Sequence, residues 1–206
     1  MCRIKVCGIQ RLEDVDILNR FLPEYAGFIF AESKRRVDIE KAKCLIRNLA
    51  KSIRPAGVFV NADLNMVKHT VEQCGLNVIQ LHGEETTDYM ENVKKFLPSV
   101  EIWKAIRVEG LESLKKLEEK SADAFLLDTY SKEAYGGTGK TFDWEIASRL
   151  SQKYKIILAG GLNSRNAARA IDTVRPFCLD VSSGVETDGY KDEEKIRDFV
   201  YAVRAY

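Results

Sequence analysis

The chain lacks a surplus of either charge, a hydrophobic run of membrane-spanning length, a paired cysteine motif and any low-complexity tract. Lys and Arg total 32 against 31 Asp and Glu, a formal net charge of +1. That balance provides no general field for nucleic acid or an anionic membrane, so neither is an expected partner and any anion must be held locally. No apolar stretch approaches the roughly 20 residues that cross a bilayer. The opening Met1-Cys2-Arg3-Ile4-Lys5-Val6-Cys7 lacks the apolar centre of an export signal. Cysteine is present five times, at Cys2, Cys7, Cys44, Cys74 and Cys178, an odd number with no C-x-x-C pair. A disulfide framework and a zinc cage are thereby disfavoured, and free thiols in a reducing cytoplasm fit best.

What is present suits one globular domain spanning residues 1–206, with 45% hydrophobic and 31% charged residues to build and cover a core. Eight short apolar runs recur: Ile4 to Val6, Ala26 to Phe30, Ala56 to Val60, Val78 to Leu81, Ile102 to Ile106, Ala124 to Leu127, Ile156 to Ala159 and Cys178 to Val181. They are nearly continuous rather than alternating, the pattern of a parallel sheet buried on both faces. Amphipathic segments lie between and after them: Leu12 to Leu22, Ile39 to Ile53, Leu64 to Cys74, Thr87 to Leu97, Leu111 to Lys120, Trp144 to Lys153, Asn166 to Val174 and Glu193 to Val203. In the second, Ile39, Ala42, Leu45, Ile46 and Leu49 share a face behind the candidate N-cap Asp38. Asn163-Ser164-Arg165-Asn166 and Asp143 supply further candidate caps. Eight strand–helix alternations at about 26 residues each predict a (β/α)8 barrel. An open doubly wound sheet is the competitor, but Cys7-Gly8-Ile9-Gln10-Arg11 lacks the G-x-G-x-x-G fingerprint.

Such a barrel carries its reactive groups at the C-terminal ends of the strands. There the chain places Cys7-Gly8, Ser33-Lys34-Arg35-Arg36, His82-Gly83, Lys104, Asp128-Thr129, Gly160-Gly161, Asp180 and Ser182-Ser183-Gly184. The glycine-bearing stretches after strands seven and eight suit a phosphate, because backbone N–H groups neutralise an anion without a basic surface. Asp128 closes the run Phe125-Leu126-Leu127, where a carboxylate is costly unless it is paired or at an open mouth. His82 faces the mouth, whereas His69 lies on a helical stretch. Gly139-Lys140-Thr141 looks like the end of a P-loop, but Ala134 stands where its first glycine belongs. A mobile active-site loop presenting Lys140 to an anion is the better reading.

Taken in order, Lys5-Val6-Cys7-Gly8-Ile9, Gly57-Val58-Phe59-Val60-Asn61, Gln80-Leu81-His82-Gly83, Leu127-Asp128-Thr129, Gly136 to Trp144, Ala159-Gly160-Gly161-Leu162 and Asp180 to Glu186 form a diagnostic series. The chain resembles the phosphoribosylanthranilate isomerase family over nearly its whole length. The resemblance implies an Amadori rearrangement in tryptophan biosynthesis, a phosphosugar substrate carrying anthranilate, and no metal or organic cofactor. It implies Cys7 as general base and Asp128 as general acid, Arg35 on the anthranilate carboxylate, Asp180 near the sugar hydroxyls, and Gly160, Gly161, Ser183 and Gly184 on the phosphate. Such chemistry asks for a protonated Asp128, hence a raised pKa, and a stabilised Cys7 thiolate. Lys5, two residues away on the same strand face, either aids the thiolate or serves a structural role. Two other readings are a Schiff-base aldolase using Lys104 and a silent phosphate-binding barrel. The oligomeric state is left open.

Overall fold

The computed structural model describes residues 1–107, 122–128 and 144–206. Eight parallel strands close into a barrel: β1 (Arg3–Cys7), β2 (Tyr25–Ile29), β3 (Arg54–Phe59), β4 (Val78–Leu81), β5 (Glu101–Arg107), β6 (Ala124–Asp128), β7 (Ile156–Ala159) and β8 (Cys178–Val181). Closure is made by β1 pairing with β8, in a register that sets Lys5 opposite Asp180. The described helices are α1 (Leu12–Phe21), α2 (Ile39–Arg47), α3 (Leu64–Cys74), α4 (Thr87–Phe96), α5 (Trp144–Ser151), α6 (Ala167–Val174) and α7 (Glu193–Arg204). None of the described helices is long and apolar enough to cross a membrane. The expected helix Leu111 to Lys120, Thr129, the glycine loop with Lys140 and the cap Asp143 lie outside the described residues.

Local chemistry accounts for the helix boundaries. Asp38 caps α2 by accepting from the Lys41 N–H at 2.8 Å. The helix stops at Arg47 rather than reaching Ile53. The Asn48 side chain donates to the Cys44 carbonyl at 2.9 Å, and the Asn19 side chain accepts from the Ala50 N–H at 2.7 Å. These side-chain bonds draw the backbone out of the helix. The expected caps of α6 act differently: Asn166 makes no side-chain cap bond to the helix. Its Oδ1 accepts from the Asn163 N–H at 2.9 Å, and Asn163 Oδ1 from the Arg165 N–H at 2.9 Å, so both amides fold the preceding turn instead.

Two apolar layers form. The larger lies between strands and helices, with Val6, Phe28, Phe59, Leu81, Leu127 and Leu158 facing Leu18, Leu45, Val93 and Phe199. The smaller fills the barrel interior with Tyr25, Ala56, Val78, Trp103, Ala124, Leu126, Ile157 and Cys178. At the N-terminal end Arg54 pairs with Glu101 at 2.8 Å and lies over the Tyr25 ring, which meets Trp103 edge-on at 4.7 Å. Above this plug the inward positions turn polar, and the site begins there.

Candidate active site

Strand alternation selects the groups that look into the mouth. Lys5 and Cys7 share the inner face of β1, Gln80 follows Val78 on β4, Asp128 follows Ala124 and Leu126 on β6, and Asp180 follows Cys178 on β8. Cys7 is 7% exposed. Its sulfur fits because β2 carries glycine at 27, where a Cβ would sit 2.7 Å from Cys7 Sγ. The Gly27 carbonyl also accepts from the N–H groups of Gly8 and Ile9 at 2.9 and 3.0 Å, which turns the chain at the strand end.

Beneath Cys7 the Lys5 ammonium is fully buried and bonded to Asp180 Oδ2 at 2.8 Å. Burial disfavours its charge, but the Asp180 carboxylate and the Cys7 sulfur hold Lys5 well above the ordinary lysine range. The Cys7 thiol is itself pushed up by burial, with Lys5 the main opposing influence, Asp180 reinforcing the rise and Lys191 opposing it. Asp180 Oδ1 is buried and accepts no hydrogen bond from the described residues. Across the mouth, His82 Nε2 lies 3.7 Å from Asp128 Oδ2, and His82 Nδ1 is 3.3 Å from the amide nitrogen of the buried Gln80.

Arg35 turns inward while Arg36 is exposed. Its stem lies over Gly8, whose φ of 83° lies in the left-handed region and whose missing Cβ would strike Arg35 Cδ. The guanidinium is gripped by Glu186, with Nε to Oε1 at 2.7 Å and Nη2 to Oε2 at 2.5 Å. Gly160 and Gly161 both have positive φ, at 90° and 65°. A Cβ at Gly184 would collide with the Leu162 carbonyl, so the loops after β7 and β8 are in backbone contact. Ser183 begins a 3-10 turn over Ser183–Val185.

One expectation is overturned. Lys104 alternates with the inward-facing Trp103 and Ala105, so it points away from the interior. Its ammonium is held by the Gly83 carbonyl and by Glu85 at 2.8 Å, so Lys104 is not the inner-face lysine that a Schiff-base aldolase needs. Three participants are new: Gly27, Glu186 and Lys191. The last two belong to a hairpin, β9 (Glu186–Thr187) and β10 (Tyr190–Lys191), turned by Asp188 and Gly189 at φ of 53° and 82°. The dipeptide Asp188-Gly189 is the sequence signal that identifies such a turn.

A closed parallel barrel with a thiol, a carboxylate and a buried ion pair gathered at its C-terminal mouth defines a (β/α)8-barrel enzyme. The family described as N-(5'phosphoribosyl)anthranilate (PRA) isomerase matches residues 4–202. An N-(5'-phosphoribosyl)anthranilate isomerase of Acetivibrio thermocellus is 48% identical over 99% of this chain and 96% of its own. The crystal structure of the phosphoribosyl anthranilate isomerase of Thermotoga maritima superposes with a TM-score of 0.89 at 35% identity, covering 100% of both chains. Another isomerase structure, holding reduced 1-(o-carboxyphenylamino)-1-deoxyribulose 5-phosphate, superposes at 0.87 with 32% identity and 100% coverage of both. The chain belongs to the N-(5'-phosphoribosyl)anthranilate isomerase family.

Proposed function

We propose that this chain, as one catalytic domain, converts N-(5-phosphoribosyl)anthranilate to 1-(2-carboxyphenylamino)-1-deoxyribulose 5-phosphate in tryptophan biosynthesis, with Cys7 as general base and Asp128 as general acid. The observation that carries the roles is their placement on inner positions at the same end of the barrel, on β1 and β6. Asp128 gives a proton to the furanose ring oxygen as the C1′–O bond opens, leaving a protonated imine at C1′. The Cys7 thiolate then removes the C2′ proton, and the resulting enolamine becomes the ketone by proton return to C1′. The substrate is isomerised with no external oxidant or reductant. Lys5 supports the thiolate through its charge.

The remaining assignments follow the same geometry. Asp180, with one buried carboxylate oxygen unpartnered, is suited to receive a sugar hydroxyl. Gly160, Gly161, Ser183 and Gly184 offer backbone N–H groups to the phosphate, with glycine admitting close approach. Arg35 receives the anthranilate carboxylate. Five free cysteines suit a reducing cytoplasm as the working compartment.

The test is the loss of anthranilate-type fluorescence when the protein meets freshly generated substrate. Cys7→Ala and Asp128→Asn are each expected to lower kcat by about 10²–10⁴-fold with the circular dichroism spectrum retained. Wild-type kcat in either variant would remove that residue from its role. No decay above the spontaneous rate in the unaltered protein would leave the phosphate-binding reading.

A further inference from the structure

Arg35 meets a second carboxylate before any substrate arrives. Glu186, whose side chain is 6% exposed, takes the Nε and Nη2 donors of the guanidinium. It is braced from behind by Lys191, 1% exposed, whose ammonium donates to Glu186 Oε1 at 2.5 Å and to the Ser182 carbonyl at 3.2 Å. Lys195 fixes the same strand through the Glu186 carbonyl at 2.6 Å and Thr187 Oγ1 at 2.9 Å. A guanidinium has five N–H groups. Glu186 uses one long edge, and no described residue accepts from Nη1, so the Nη1/Nη2 edge is the fork left for a planar carboxylate. Two cations against one anion keep the trio at a formal charge of +1, so Glu186 orients the arginine without neutralising the cluster.

The geometry points to Glu186 as a positioning residue that presents the second edge of Arg35 to the carboxylate of the substrate, with Lys191 offsetting its charge. The inference rests on the reading above that Arg35 receives the anthranilate carboxylate. It explains why two long, buried, oppositely charged side chains are spent on a short hairpin beside the mouth, where desolvation makes such a cluster expensive as mere structure. It also makes a prediction opposite to simple electrostatics. Removing a negative charge beside an anion site should strengthen anion binding, whereas loss of positioning should weaken it.

The experiment is steady-state kinetics on Glu186→Gln, Lys191→Met, Arg35→Ala and Arg35→Ala/Glu186→Gln, each checked for a cooperative thermal transition. Glu186→Gln should raise KM about tenfold, the scale of one charge-assisted hydrogen bond, with kcat within about twofold of wild type. Lys191→Met, leaving Glu186 to neutralise Arg35, should also raise KM, and it reports independently if the glutamine variant does not fold. The double variant should be no worse than Arg35→Ala. An unchanged or lowered KM in Glu186→Gln, a defect confined to kcat, or effects that add in the double variant would each overturn the inference. A wild-type KM in Arg35→Ala would instead overturn the reading of Arg35, and the inference with it.

Discussion

At the residue scale, Cys7, proposed as the general base, is held between two opposing influences. Its sulfur occupies the space that Gly27 leaves open, and burial raises the thiol while Lys5 pulls it back. In the free enzyme the thiolate is thus the minor form at neutral pH, and its fraction grows as pH rises. The consequence of the proposed roles is a kcat/KM that climbs with pH until the need for a protonated acid, the part proposed for Asp128, turns it down. Replacing Cys7 with Asp substitutes a base whose ordinary pKa, near ~3.9, lies well below that of a thiol at ~8.5. In Cys7→Asp the normalised rising limb is therefore expected to move to lower pH, even though the altered geometry lowers absolute activity. A limb that stays in place across a full pH–rate profile would show that some other group is the base.

At the element scale, the short connections after β7 and β8 behave as one unit. Gly184 has no room for a side chain because the Leu162 carbonyl of the neighbouring loop occupies it. Gly184→Ala must push the two loops apart, and the N–H groups assigned to the phosphate move with them. We expect KM to rise by about tenfold or more, with the greater part of kcat retained. The check is inhibition by inorganic phosphate, which should weaken in parallel; unchanged phosphate inhibition would free these loops from the assignment. The hairpin that follows is an element of the same kind. Its Asp188-Gly189 turn is readable from sequence, but that turn alone does not reveal that Glu186 reaches Arg35 across 151 positions of chain.

At the scale of the whole molecule, the barrel separates stability from chemistry along its axis. Tyr25, Trp103, Leu126 and Ile157 fill the lower interior, and Lys5, Cys7, Gln80 and Asp180 stand above them. Ile157→Val should therefore cost about 0.5–1.5 kcal/mol in urea unfolding while leaving kcat and KM at wild-type values. A changed KM would show that packing strain passes up the barrel to the mouth. The strands were legible because both faces of each are buried, so every strand is a nearly continuous apolar run: β4, β7 and β8 begin and end at the residues where those runs do. The candidate site was legible as far as strand ends go, since Cys7, Asp128 and Asp180 fall at or next to the C-terminal ends of strands that the apolar runs mark out. The apolar pattern runs six residues past the end of α2 because Asn19, from a different element, captures the Ala50 N–H. The face that Lys104 takes is not encoded in its own strand, because one strand's alternation has no sign until a neighbour fixes which face is inside. By itself, then, the sequence determined the alternation of elements, the barrel class and the identity of the groups at each strand end, all consequences of local burial pattern and spacing. The tertiary structure alone decided which groups meet: Lys5 with Asp180 over 175 positions, Arg35 with Glu186 and Lys191, and Gly27 with the Cys7 sulfur. Those contacts follow from barrel closure and register, which bring distant segments together and which no local pattern encodes.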